Sequence, residues 1–360
     1  MHNFKKILAT LFCIQLSVFA SCEHSGGALP PVDPVQGSLK EASPYPFGAA
    51  LSISKMKNSE IYGTVVKKEL SSITPENAMK MVNLAPSRKD QYAWDDADYF
   101  VDYAKQNNMR VHGHCLVWHN SLPSWINSFA GTKEDWKTLL KDYITTVVGR
   151  YKGRIASWDV VNEALMDDGT PRQTIWFTKI GWEYVELAFR TAHEADPDAV
   201  LFYNDYGQEY SKVKLAAIND TVMSLVSRGV PISGIGIQMH TNIGQTADNM
   251  ANAILQTAAT GLKIHISELD VALNNSKDPN YAVNDADLAV QKSRYRSIAA
   301  AMYSIPLSQS WGITTWGVGD DDSWLRSSPD FPLLFDSNYN HKSCYDGIME
   351  AFSAFNKGQK

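Results

Sequence analysis

The chain has 360 residues, long enough for two ordinary domains or one large barrel, and too long for a small peptide scaffold. Its 33 Lys and Arg against 39 Asp and Glu give a net charge of −6, and no basic run exceeds two residues, so the counterion-releasing surface needed by a nucleic-acid partner is missing. With 44% hydrophobic and 20% charged residues the composition is ordinarily globular, which excludes a disordered chain and a multispanning membrane protein.

At the amino terminus Lys5-Lys6 precede an apolar stretch, Ile7 to Ala20, that is too short to span a bilayer unaided. This is the pattern of a secretory signal over residues 1–21. Phe19-Ala20-Ser21-Cys22 resembles a bacterial lipoprotein signal, in which Cys22 is lipidated and becomes the first residue. The expectation is an exported protein, held at the cell envelope through Cys22 or otherwise secreted, with no other membrane contact. Removing residues 1–21 takes away two lysines and no acid, so the remainder is more acidic still. Cys115 and Cys344 are then the remaining cysteines, too few for a disulfide framework, and are read as buried free thiols.

Residues 22–44 are rich in Gly, Pro and Ser and show no amphipathic period, so they read as a flexible tether. From residue 45 to 360 the texture changes to short apolar runs alternating with helix-periodic segments, the signature of a parallel sheet with crossover helices. Trp136, Leu139, Leu140, Tyr143, Ile144, Val147 and Val148 recur at helical spacing behind a Thr132 and Asp135 pair that suits a capping box. Trp182, Val185, Ala188, Phe189 and Ala192 repeat the pattern and stop at Asp196-Pro197, and Met250, Ile254, Leu255 and Ala258 stop near Gly261. The apolar runs give eight candidate strands: 47–51, 71–74, 110–113, 157–161, 200–203, 235–238, 264–267 and 313–316. Eight alternations in one domain suit a single (β/α)8 TIM barrel, whose site lies at the carboxyl ends of its strands.

Polar and aromatic residues gather at those ends. Asn77 and Lys80 follow strand two, His114 and Trp118 strand three, Asn162 and Glu163 strand four, and Asn204 and Asp205 strand five; Gln238 and His240 lie at strand six, Glu268 and Asp270 at strand seven, and Trp316 and Trp324 at or after strand eight. Any one of them alone reads more readily as a solvated strand end, and a lone Trp as core. Seven neighbouring ends on one rim do not. Glu163 and Glu268 are each the first carboxylate reached as a buried strand opens to the rim, and a carboxylate there is costly unless paired or used. Two carboxylates facing one cleft form the minimal apparatus for cleaving an acetal, and Trp rings offer flat faces to a sugar. On the two residues alone, structural ion pairs explain them as well.

The motifs Phe47-Gly48-Ala49-Ala50, Thr74 to Lys80, Gly113 to His119, Trp158 to Glu163, Tyr203 to Tyr206, Gln238-Met239-His240, Ser267 to Asp270 and Trp316-Gly317-Val318 through Trp324 stand in the order of glycoside hydrolase family 10. The chain resembles its endo-β-1,4-xylanases over essentially everything after the tether. That resemblance implies endo-acting, retaining hydrolysis of β-1,4-xylosidic bonds, with Glu268 as nucleophile and Glu163 as general acid/base, and retention implies carboxyl groups about 5 to 5.5 Å apart. It implies His240, held by Asp270, as support for the nucleophile, and Asn162 as the partner of the sugar 2-hydroxyl. Glu76, Asn77, Lys80, His114 and Gln238 resemble sugar-hydroxyl ligands or their supports on the non-reducing side, walled by Trp118, Trp316 and Trp324. The implied partner is xylan or its oligosaccharides, acted on by a monomer without cofactor or metal. Five positions depart from the family's pattern: Asn120-Ser121 in place of Ser-Gln, Met81 in place of Trp, Gly207 in place of Asn, and His112 in place of Arg. They bear on subsite strength and leave both glutamates untouched.

Two other classes compete. His112, His114, His240, His265 and Asp320 compose a set of the kind a barrel metallohydrolase uses, but with Glu268 pointing inward strand parity turns His265 toward the helices. A non-catalytic glycan-binding barrel has no need of the Glu163, Glu268, His240, Asp270 and Asn162 constellation.

Overall fold

The computed structural model describes residues 37–358, so the expected signal, the Cys22 lipidation site and most of the expected tether lie outside the described residues. Strands β1 (Phe47–Leu51), β2 (Ser72–Pro75), β3 (Arg110–Gly113), β4 (Ser157–Asn162), β5 (Val200–Asp205) and β6 (Gly234–Ile237) run parallel and in sequence order around the sheet. The short β7 (His240–Asn242) pairs only with the outer end of β8 (Lys263–Ala272), while β9 (Ser310–Thr315) pairs with both β8 and β1. Pairing of β6 with β8 closes the ring, so eight parallel staves separated by helices form the (β/α)8 barrel expected from the sequence.

All eight expected strands are present. The largest difference is β8, which continues through Glu268 to Ala272, because its far end finds a partner in β7. The helix Lys133–Arg150 starts on the predicted box: Thr132 Oγ1 accepts from the Asp135 N–H at 3.3 Å and Asp135 Oδ2 accepts from the Thr132 N–H at 2.8 Å. Its predicted apolar stripe is buried throughout. In the helix Ala247–Ala258, Met250, Ile254 and Ala258 are buried but Leu255 is 44% exposed, one position off the stripe.

Two expectations are corrected. The fold begins earlier than residue 45: Leu39–Ala42 form a helical turn packed on the helices Glu60–Glu69 and Ser343–Gly358, with Leu39 fully buried and its N–H donating to Glu69 Oε2 at 3.0 Å. A single apolar anchor amid Gly, Pro and Ser leaves no periodic signal. The second correction is His265, which does not face the helices. Its ring lies 4.6 Å from that of His112 and its Nε2 is 2.8 Å from Thr314 Oγ1, a meeting of side chains from β8, β3 and β9 that is possible only inside the barrel. The reason is a register shift between Ile266 and Leu269, which resets the alternation so that both His265 and Glu268 point inward. His112 in turn contacts Ser157 Oγ at 2.7 Å and Asp159 Oδ2 at 2.9 Å, so these imidazoles form a polar plug beneath the site.

Cys115 and Cys344 are free and buried, as expected, and burial pushes the Cys344 thiol up to about 12.

Candidate active site

Register decides which side chains meet at the carboxyl end of the barrel. Asn162 stands opposite Asn204, and Asn204 opposite Gly236. The absent side chain at Gly236 leaves room for Asn204, whose amide then donates to Asn162 Oδ1 at 2.9 Å and to Glu268 Oε1 at 2.7 Å. Ser267 Oγ donates to Asn204 Oδ1 at 2.6 Å and fixes the amide's orientation. On the other side Gln238 Nε2 donates to Glu163 Oε1 at 3.0 Å and lies 3.3 Å from Asn162 Oδ1. Glu163 and Glu268 are therefore joined through three amides, Gln238, Asn162 and Asn204.

Glu163 closes β4 with φ +57°, a left-handed conformation that costs a non-glycine residue about 1–3 kcal/mol. The turn is held by its N–H donating to Asn204 O and by Arg172 Nε donating to its carbonyl, both at 2.9 Å. A bridge between Val117 and Val161 brings Trp118 alongside, and Trp118 Nε1 donates to Glu163 Oε2 at 2.9 Å. His119 Nδ1 stands 3.8 Å from the same oxygen.

Glu268 is 5% exposed. Burial alone raises its carboxyl, but the charges of His114 and His240 outweigh it and hold the group below the ordinary carboxylate range. His240 is Cα partner to Asp270 in the β7–β8 ladder, so its Nδ1 sits 2.8 Å from Asp270 Oδ2 and its Nε2 3.4 Å from Glu268 Oε2. Burial opposes a charged His240, yet Asp270 and Glu268 raise it well above the ordinary imidazole value. His114 behaves alike: burial lowers it, while Cys115, Glu268 and Asp159 raise it, and its Nδ1 is 2.8 Å from Asp159 Oδ2.

These groups open into one cavity of about 790 Å³, lined by Glu76, Lys80, His114, Trp118, Asn162, Glu163, Gln238, His240, Glu268, Asp270, Trp316 and Trp324. Every residue that the resemblance assigns to catalysis or sugar binding is thus in its wall except Asn77, which is exposed and whose Oδ1 accepts from Lys80 Nζ at 2.9 Å. Asn77 acts on the cavity through Lys80. The Lys80 ammonium lies 5.2 Å from the Trp118 ring centre and 5.8 Å from that of Trp316, and Trp324 Nε1 donates to Asp270 Oδ2 at 2.8 Å. Asn120 also lines the cavity, so an amide is kept in that wall despite the change at Asn120-Ser121. Among the described residues no group of three or more His, Cys, Asp or Glu side chains is arranged to hold a metal ion.

Sequence reasoning gave no role to Asn204, Asp159, Arg172 or Tyr210. Asp159 lies on the predicted strand 157–161 and Asn204 directly follows the predicted strand 200–203, but the irregular register between Asp159 and Val161 keeps simple alternation from showing where Asp159 points. Arg172 sits in an irregular loop and carries no such signal.

The sequence profile described as "Glycosyl hydrolase family 10" matches residues 36–351. The chain is 38% identical to endo-1,4-beta-xylanase B of Thermotoga neapolitana over 84% of its own length and 87% of that protein. It is 38% identical to the exoglucanase XynX of Acetivibrio thermocellus over 86% of its own length, but spans only 29% of that relative. Among solved structures it resembles xylanase 10B from Thermotoga petrophila RKU-1 in complex with xylobiose, with TM-score 0.83 and 38% identity over 91% of this chain and 99% of that one. Xylanase10C from Cellvibrio japonicus in complex with xylopentaose gives TM-score 0.84 and 34% identity over 89% of this chain and 69% of that one. Eight ordered strand-end motifs, a closed barrel and these matches have one common explanation: the chain belongs to glycoside hydrolase family 10.

Proposed function

We propose that this protein is an endo-β-1,4-xylanase that hydrolyses internal xylosidic bonds of xylan with retention of configuration. The observation that carries the reading is the pair Glu163 and Glu268, tied through Gln238, Asn162 and Asn204 in one Trp-walled cavity. Glu268, kept ionised by His114 and His240, attacks the anomeric carbon while Glu163 gives its proton to the departing glycosidic oxygen, and the C–O bond breaks. In the second step Glu163 takes a proton from water, whose oxygen bonds to the anomeric carbon as the Glu268 carboxylate leaves. Asn162 has its Oδ1 taken by two amides and offers Nδ2 to the sugar 2-hydroxyl. Glu76, Lys80, His114 and Gln238 bind or brace the non-reducing sugars. Trp316 and Trp324 are bulky enough to disfavour the extra hydroxymethyl group of glucose, which gives preference rather than absolute selection.

The ring order orients the substrate. Glu163 is on the fourth stave and Glu268 on the seventh, so the eighth, first, second and third staves, bearing Trp316, Trp324, Glu76, Lys80, His114 and Trp118, lie to one side of the pair. Tyr206, Tyr210, Asn242 and Gln245, from the fifth and sixth, form the opposite wall and receive the leaving-group sugars. At the other end of the chain, we extend the proposal to export as a monomer anchored through a lipidated Cys22.

Incubating the protein with xylan, carboxymethyl cellulose and mannan tests the substrate class. Mid-length products released early from xylan are expected; a single small product from the outset would overturn endo-action in favour of exo-action, and preference for the glucan would overturn xylan as the substrate. Glu268→Ala should abolish turnover of every glycoside, and proton NMR of the first-formed product should show the β-anomer.

A further inference from the structure

We propose that Arg172 is the positioning residue for the proton donor, fixing Glu163 through its main chain rather than through its carboxylate. The inference rests on Glu163 being the general acid/base. Glu163 is held in a left-handed backbone conformation at the end of β4, where its side chain would follow any relaxation of φ or ψ. The strand itself supplies one restraint, the Glu163 N–H to Asn204 O. The other comes from a residue nine positions later, on a loop folded back by the Leu165–Pro171 bridge.

There the Arg172 guanidinium divides its donors. Nε donates to Glu163 O at 2.9 Å, and Nη2 to Leu165 O at 3.1 Å and to Tyr206 Oη at 2.9 Å. The Arg172 N–H adds a bond to Ala164 O at 2.8 Å, so main-chain groups of Glu163, Ala164 and Leu165 all accept from this one residue. Tyr206 Oη passes the chain on to Asp167 Oδ1 at 2.8 Å, and the Lys214 ammonium sits 3.2 Å from the Tyr206 ring centre. Arg172 is not in the wall of the substrate cavity, yet it ties the donor's backbone to Tyr206, a wall of the leaving-group side. A planar fork reaches three acceptors at once, which a lysine ammonium on a flexible stem does not reproduce.

Loss of such a clamp should be felt where a proton must be delivered, and nowhere else. The test compares Arg172→Met, Arg172→Lys and Glu163→Ala on xylobiosides with alkyl and with dinitrophenyl leaving groups. For Arg172→Met, kcat/KM on the alkyl substrate should fall about 10- to 100-fold, the scale of a misplaced catalytic group, and on the dinitrophenyl substrate less than about threefold. Azide, which needs no base to attack the glycosyl-enzyme, should raise kcat on the dinitrophenyl substrate and yield glycosyl azide. Arg172→Lys should fall between wild type and Arg172→Met. A fraction of misfolded protein lowers both substrates by the same factor, so the ratio isolates positioning from stability; if Arg172→Met is insoluble, Arg172→Lys carries the comparison. Equal losses on both substrates, or none, in the Arg172 variants while Glu163→Ala shows the leaving-group split would overturn this proposal alone. No split in Glu163→Ala would remove the proton donor and Arg172's role with it.

Discussion

Glu268 keeps its charge where burial opposes it, and the balance is set by two imidazoles. A carboxyl whose folded value is depressed adds stability above its unfolded value and loses it as pH falls through the folded one, while a raised histidine adds stability below about pH 6.5 that is lost as pH rises through its folded value. Glu268 follows the first pattern and His240 and His114 the second. For catalysis Glu268 must be ionised, so the acid limb of kcat/KM should lie below the ordinary glutamate value of about 4.3. His240→Ala removes a positive neighbour and should move that limb upward by about 1 to 3 pH units. A limb that stays put would show that His240 does not control the nucleophile. Both glutamates could be singled out in the sequence because each ends an apolar strand; Asn204, which touches Glu268 directly, could be placed at a strand end but not given a partner.

Among the strands, the site depends on what is absent from one of them. β6 carries glycine at 234 and 236, and a methyl group at Gly236 would collide with Oδ1 of Asn204. Gly236→Ala should therefore push Asn204 away from Glu268, costing about 1–3 kcal/mol of stability as overpacking and reducing kcat well beyond what the loss of folded protein explains. Denaturant midpoints and active-site titration together check it; unchanged kcat per active site would refute the coupling. The same neighbourhood shows where strand reading from sequence stops. Counting alternate residues from Glu268 sends His265 outward, but the irregular register between Ile266 and Leu269 brings both inside. A bulge is set by pairing with β9, some fifty residues away, and leaves no mark in the local pattern.

Across the whole molecule, the barrel is completed from outside its staves. Glu69 is buried, and its Oε2 accepts both from the Leu39 N–H and from Tyr345 Oη at 3.0 Å, so the first described turn and the last helix share one carboxylate. A chain begun at Tyr45 instead of Gly37 loses the burial of Leu39, which alone is worth about 1.5–3 kcal/mol, and leaves Glu69 short of a partner. Its urea midpoint should be lower while kcat per folded molecule is kept, since the turn is remote from the cavity. Equal midpoints would show that residues 37–44 are dispensable to the fold.

The count and order of the strands, the capped helix Lys133–Arg150 and the set of chemical residues at strand ends are legible in the linear chain, because each of these is written in short-range periodicity or in an ordered series of motifs. Asn204 bridging Asn162 to Glu268, His265 joining His112 inside the barrel, Asn77 working through Lys80 and Arg172 reaching back to Glu163 emerge once the chain is folded. Those contacts depend on register between strands and on the path of irregular loops. Both are fixed by pairings between residues far apart in the chain, and no local pattern encodes them.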